Sequence, residues 1–178
     1  LRRARDLVEK AAGVAASVHR AAEWSIRRPA DPALSVVAGE GFVCDASMMP
    51  VPPLGPASNP TGPHRIESDG WRIVEVPPLT GRAFGRRLPL GGGWPFRLAS
   101  EETLARAESD FRESGRPAVF TLHPWELDTE HPPMEGLAPL TRTVHFLKLR
   151  SLPKRFERWL SRDRCVALGD AVALLAAG

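Results

Sequence analysis

The residues best suited to chemistry fall in one stretch, residues 116–128. There a short β-favouring run from Ala118 to Leu122 ends in His123, Pro124, Trp125, Glu126, Leu127 and Asp128. An imidazole titrates near neutral pH and serves as general acid, general base or metal ligand; at a strand end it also serves as a structural cap. Val119 and Phe120 favour a buried strand. Pro124 has no N–H to give, so it stops the ladder and leaves His123 at the strand's C-terminal end. In α/β sheets and barrels, ligands and chemistry gather at that end.

Other candidates lie upstream, each with a plain structural alternative. Arg20 can orient a carboxylate or make a surface ion pair. Asp45, followed by Ala46 and Ser47, can serve a site or close an Asx turn. Trp125 and Trp94 can stack on sugar rings or simply pack. Gly91-Gly92-Gly93 resembles a phosphate cradle only superficially: it lacks the Lys-Ser/Thr of a P-loop and is read as a loop that opens no immediate helix. The five histidines include no His-x-x-x-His pair, so a complete metal site is not visible in the sequence.

The elements that must position these residues follow from periodicity. Ala4, Leu7, Val8 and Ala11 give residues 1–12 the spacing of an amphipathic helix, and Gly13 ends it. Residues 14–18 read as a short strand ending at His19-Arg20. Asp31-Pro32 starts a short helix with Leu34, Val37 and Ala38 on its apolar face. Residues 42–44 form another short strand, ending at Asp45. Residues 50–63 hold six prolines and two glycines, which excludes regular structure. Residues 71–76 alternate apolar and polar, as a half-exposed strand does. Residues 88–96 read as a loop. Ser100 caps a helix lined by Leu104, Ala105, Ala107 and Phe111 and ended by Gly115. After a Pro-rich linker, residues 152–160 read as a helix with Phe156, Trp159 and Leu160 on one side. Residues 165–168 read as a short strand, and Asp170 as the cap of a last helix.

Three times, then, a helix ends in glycine, a short apolar strand follows, and the strand ends in a polar residue: His19-Arg20, Asp45 and His123. Such alternation predicts an α/β fold with a parallel sheet and helices outside, its strand ends opening on one face.

The totals narrow the class. With 178 residues and 43% hydrophobic content, the chain has enough apolar material for a real core. Net charge is +3 and the pI near 9.4, but the basic runs are short. The longest, residues 154–164, is interrupted by Glu157 and Asp163, so solvated helix faces are expected and a nucleic-acid surface is not. Cys44 and Cys165 are far apart and lack metal-ligand spacing; both are expected to be small buried residues. The apolar tail over residues 171–177 is far short of the roughly 20 residues needed to span a bilayer. No signal peptide is visible. The chain opens on Leu1 in what already reads as mid-helix, so a missing start or an unusual start codon is expected, and the compartment is left open.

Three stretches carry a family resemblance: Gly41-Phe42-x-Cys44-Asp45-Ala46-Ser47, then Leu88-Pro89-Leu90-Gly91-Gly92-Gly93-x-x-Phe96-Arg97, then Gly115-Arg116-Pro117-Ala118-Val119-Phe120-x-Leu122-His123-Pro124-Trp125-Glu126-Leu127-Asp128. In pattern and order they resemble the C-terminal part of a bacterial polysaccharide deacetylase of the NodB-homology type. The resemblance is to the subgroup tied to exopolysaccharide and exosortase loci. It implies the C-terminal portion of a distorted (β/α) barrel, incomplete in this chain. Residues 1–50 would be the end of the core, and residues 51–178 a subgroup-specific region including the last catalytic strand, residues 117–123.

The implied activity is hydrolysis of the acetamide of N-acetylated sugars in an exopolysaccharide or cell-wall glycan, with a divalent metal, zinc or similar. By motif, His123 matches the catalytic acid and Leu122 the lining of the acetyl-methyl pocket. Arg20 matches the arginine that holds the catalytic-base aspartate. Asp45 matches the aspartate beside the acidic histidine, and Trp24 a groove-wall aromatic; Trp125 and Trp94 are placed near the sugar. The family's Thr-Phe-Asp-Asp and His-x-x-x-His motifs, which supply the base and the metal ligands, are absent, and Ala22 stands where the family has proline. The resemblance thus implies the acid half of a mechanism. An N-terminal half of the barrel, or a partner chain, would complete the fold, since half a barrel leaves sheet edges exposed. The alternative is a truncated, non-catalytic relative that binds a glycan or a partner chain.

Overall fold

The computed structural model describes the chain except for Phe84, His131, Pro133, Met134, Arg162, Asp163, Arg164 and Gly178, and describes residues 173–177 by backbone alone. Asp163 and Arg164 of the basic segment therefore lie outside the described residues. The architecture is mixed α/β, with one four-stranded sheet, one two-stranded sheet, surrounding helices and no closed barrel among the described residues.

The four-stranded sheet is built from β1 (Val18–His19), β2 (Cys44–Asp45), β3 (His64–Ser68) and β4 (Trp71–Glu75), in the order β1-β2-β4-β3. The first three in that order run parallel, and β3 pairs antiparallel with β4 at one edge. The sheet thus joins residues from both sides of position 50. Two short helices feed it. Helix α1 (Arg2–Ala12) ends on Gly13 in the left-handed region, φ 71°, and α2 (Ala33–Gly39) starts beside Asp31, whose carboxylate accepts the Ala33 N–H at 3.0 Å. Leu34 and Val37 of α2 pack with Ile26, Phe42, Met48, Ile66 and Ile73 against one part of the sheet. Helix α1 buries none of its residues and leaves Leu7 and Val8 in solvent.

Strand β4 departs from the expected half-exposed alternation: Ile73, Val74, Glu75 and Val76 are all buried. It lies between β2 and β3, and Val74 and Val76 pack with Cys44, Val119 and Val172. Elements that the sequence did not announce follow. The hairpin β5 (Thr80–Ala83) and β6 (Arg86–Pro89) leads into α3 (Gly93–Leu98), so the glycine run does open a helix, contrary to its reading as a loop. No P-loop results, because the Lys-Ser/Thr is still missing.

Helix α4 (Glu101–Glu113) is capped as expected, with the Ser100 hydroxyl accepting the Thr103 N–H at 3.1 Å. Its Leu104, Ala107 and Phe111 form a second core with Leu79, Leu90, Phe96, Leu149 and Leu152. The short α5 (Pro124–Leu127) and α6 (Pro139–Phe146) occupy the region expected to be a linker. Helix α7 (Leu152–Leu160) matches its expected bounds. Residues 165–167 are not a strand. Helix α8 (Leu168–Ala177) follows directly and packs Leu168 and Val172 beside β1 and β2.

Candidate active site

The expected strand at residues 117–123 joins neither sheet as a strand. Its backbone is held at two points: the Leu79 N–H donates to Val119 O at 2.8 Å, and the Thr121 N–H donates to Gly91 O at 2.7 Å. The one bridge it forms among the described residues runs parallel, Gly92 to Thr121. This close passage explains the glycines. A Cβ on Gly92 would lie 2.1 Å from the Thr121 carbonyl oxygen, and one on Gly91 would lie 2.6 Å from the Leu79 nitrogen. The triplet is therefore a slot for the segment that carries His123.

His123 leaves this slot as the residue before α5, in extended conformation, with Pro124 at the helix start. Its side chain is exposed, while Glu126 is wholly buried and accepts the His123 N–H at 3.0 Å. Arg97 of α3, 3% exposed, faces Glu126 at 3.7 Å and donates to His145 O at 2.7 Å. Burial lowers the Arg97 pKa, opposed by the Glu126 charge. Around this ion pair the rings of His123 and Trp125 stack with centroids 6.0 Å apart, and Trp125 and His145 with centroids 4.3 Å apart. Leu122 packs at the edge of the second core beside Trp125.

A second cluster forms where the parallel strands end. Register sets His19 opposite Asp45 and Asp45 opposite Glu75. The imidazole beside Asp45 is that of His19, Nδ1 to Oδ1 at 2.7 Å; the contacts described for His123 go to Trp125 and Glu126. Asp45 also accepts from the Ser47 hydroxyl at 2.9 Å and the Ser47 N–H at 3.2 Å, the Asx-type closure the sequence allowed. Glu75 accepts the Met48 N–H at 2.8 Å. Burial, and then the neighbouring Asp45 charge, raise the Glu75 pKa well above the ordinary carboxylate value. Burial likewise pushes the Cys44 thiol up to about 12. Cys165, expected to be buried, is exposed.

Arg20 follows β1 and places its guanidinium over the Trp24 ring, 5.0 Å from the centroid. The tight 3₁₀ turn Ala22–Trp24 holds Glu23 and Trp24 at φ 56° and 55°. Two adjacent non-glycine residues in the left-handed region are uncommon, and such strain gathers at functional sites. Trp94, at the start of α3, is 52% exposed.

Apart from Trp94 on α3, the predicted residues thus fall into two groups: Asp45, Arg20 and Trp24 at the sheet's end, and His123, Leu122 and Trp125 on the 117–127 segment. Sequence reasoning missed Glu75, Arg97, Glu126 and His145 as parts of these groups. Glu75 looked like the solvent side of an alternating strand. Only its place one residue before a Val-Pro-Pro break, matching the ends of β1 and β2, hinted otherwise.

Residues 46–172 match the family described as a domain of unknown function, DUF3473, and the chain belongs to that family, which is associated with polysaccharide deacetylase-like proteins. No curated protein and no solved structure gives a significant match.

Proposed function

We propose that this chain is the acid-donating part of a polysaccharide deacetylase of the NodB-homology type, acting on the acetamide of an N-acetylated glycan, with the chain forming the later part of a distorted (β/α) barrel. The observation that carries the reading is membership of a family associated with deacetylase-like proteins, over a stretch that contains Trp94, Leu122, His123 and Trp125. The local geometry is compatible with it. His123 presents an exposed imidazole on a backbone pinned by Glu126 and by the glycine slot. Such a group can donate a proton to a departing amine. Trp125 beside it, stacked with His145, is read as a sugar contact, and Leu122 as an apolar wall for the acetyl methyl. Arg20 and Asp45 are read as orienting groups, with Trp24 and Trp94 as further sugar contacts.

The divalent metal that the family uses would polarise the acetyl carbonyl. Among the described residues no three His, Cys, Asp or Glu side chains are grouped to hold one. Of the acids that do cluster, Asp45 commits both oxygens to Ser47 and His19, and Glu75 commits one to Met48. The described residues do not fit a metal, and the chemistry assigned to this chain is proton donation and positioning alone. Base and metal ligands are assigned to an N-terminal half of the barrel or to a partner chain. In support, β1 is an outer strand of the sheet, and α1, which precedes it in the chain, leaves Leu7 and Val8 exposed.

One observation favours a non-catalytic alternative, binding of a glycan or partner chain: Asp45 pairs with His19, and His123 has its described contacts elsewhere. The discriminating experiment is acetate release from N-acetylated oligosaccharides by the polypeptide as encoded, with whatever precedes Leu1. Acetate release supports hydrolysis; glycan binding without acetate release supports the alternative.

A further inference from the structure

The row at the sheet's end continues past Asp45. Parallel register sets Glu75 opposite Asp45, and antiparallel register sets His64 of β3 opposite Glu75. Asp45 and Glu75 are both wholly buried. One Glu75 oxygen accepts the Met48 N–H at 2.8 Å; the other is buried with no donor to it. That second oxygen is an orphan only if both acids are ionised. The two carboxyls stand at opposed positions of paired strands, and neighbouring buried carboxylates cannot both carry charge without a large cost. A proton on Glu75 turns the orphan acceptor into a donor on the strand beside Asp45, whose Oδ1 faces His19.

We propose that Glu75 is a positioning residue for the site. Through a hydrogen shared with Asp45 and its bond to the Met48 N–H, it fixes the Asp45 carboxylate toward His19 and holds the turn after β2 against β4. Burial and the Asp45 charge both favour the protonated form. The other titratable groups around it are Cys44 on β2, His19 on β1 and His64 on β3, whose Nε2 is buried without a partner. Any role in catalysis rests on the deacetylase reading; the positioning itself does not.

Carbon-13 NMR of the Glu75 side-chain carboxyl tests the protonation directly in the 178-residue chain. At neutral pH the expected resonance is that of a protonated acid, and in Asp45→Asn its titration moves to lower pH because the neighbouring charge is gone. An ionised resonance at neutral pH, or a titration unmoved by Asp45→Asn, overturns the proposal. Hydrogen exchange at Met48 tests the positioning. Glu75→Leu should speed it by about tenfold or more, the loss of a bond to a buried acceptor, while Glu75→Gln should keep it slow. Equal exchange in the two variants also overturns the proposal. In the polypeptide as encoded, Glu75→Leu should lower kcat for acetate release by on the order of 10²-fold with KM little changed, and Glu75→Gln should restore most of it. Absence of acetate release from the unaltered polypeptide counts against the deacetylase reading and leaves the NMR outcomes to decide the positioning.

Discussion

Arg97 and Glu126 face each other at 3.7 Å with their side chains 3% and 0% exposed, joining α3 to the turn that carries His123. Breaking one side of a buried pair strands the other charge, which costs about 3–5 kcal/mol. Arg97→Met is therefore expected to lower stability by about that amount, read as a shift in the urea midpoint. The double variant Arg97→Met, Glu126→Gln, which removes both charges, should recover part of the loss. No recovery would mean that Arg97 acts through its bond to His145 O and not through Glu126.

Glu75 gives stability a pH dependence of defined sign. Its pKa in the folded chain is raised well above the ordinary 4.5. Above that ordinary value the unfolded chain releases the proton while the native chain keeps it. This contribution to stability is therefore present in full at low pH. It is lost as pH rises, at up to about 1.4 kcal/mol per pH unit, until Glu75 ionises in the folded state. Glu75→Gln lacks this loss, so its stability relative to the unaltered chain should climb as pH rises above 4.5. Parallel stability profiles for the two proteins would contradict the assignment.

Gly92→Ala tests the slot. Its Cβ would meet backbone at 2.1 Å, on a residue already at φ 153°, so the 117–123 segment must shift, at a cost of about 3 kcal/mol or more. Gly93→Ala meets nothing nearer than 3.7 Å and pays only for φ +62°, about 1–2 kcal/mol. Thermal unfolding should rank the two variants in that order. Equal losses would remove the close passage as the reason for the glycines.

Much of the frame was legible because it rests on local rules. The Ser100 cap, the Gly13 stop and the apolar spacing of α2, α4 and α7 each act within a few residues, and each appears where expected, except that Ala105 of α4 and Leu160 of α7 are exposed. What escaped the sequence is set by partners distant along the chain. Strand β3 buries only Ile66 among five residues and exists because β4 lies beside it. Helix α3 begins on the last of three glycines and contains a proline, a poor helix by propensity, yet Phe96 and Arg97 anchor it in the core. Residues 118–122 have a strand's composition, but their backbone partners are single residues just before β5 and just after β6, and not a ladder. In the site, Asp45 and His123 stood out by type and position. The identity of Asp45's partner did not, because it depends on the register of β1 against β2. Glu126 was visible as a residue, but its burial against Arg97 follows only from how α3 and α5 pack.

In the proposed reaction His123 is the proton donor to the departing amine. Steady-state acetate release from an N-acetylated oligosaccharide, by the polypeptide as encoded and by its His123→Ala variant, tests that role most directly. The predicted result is a fall in kcat of about 100-fold or more, as loss of general acid catalysis brings, with loss of the pH dependence due to the acid. A variant that releases acetate at the unaltered rate would contradict it.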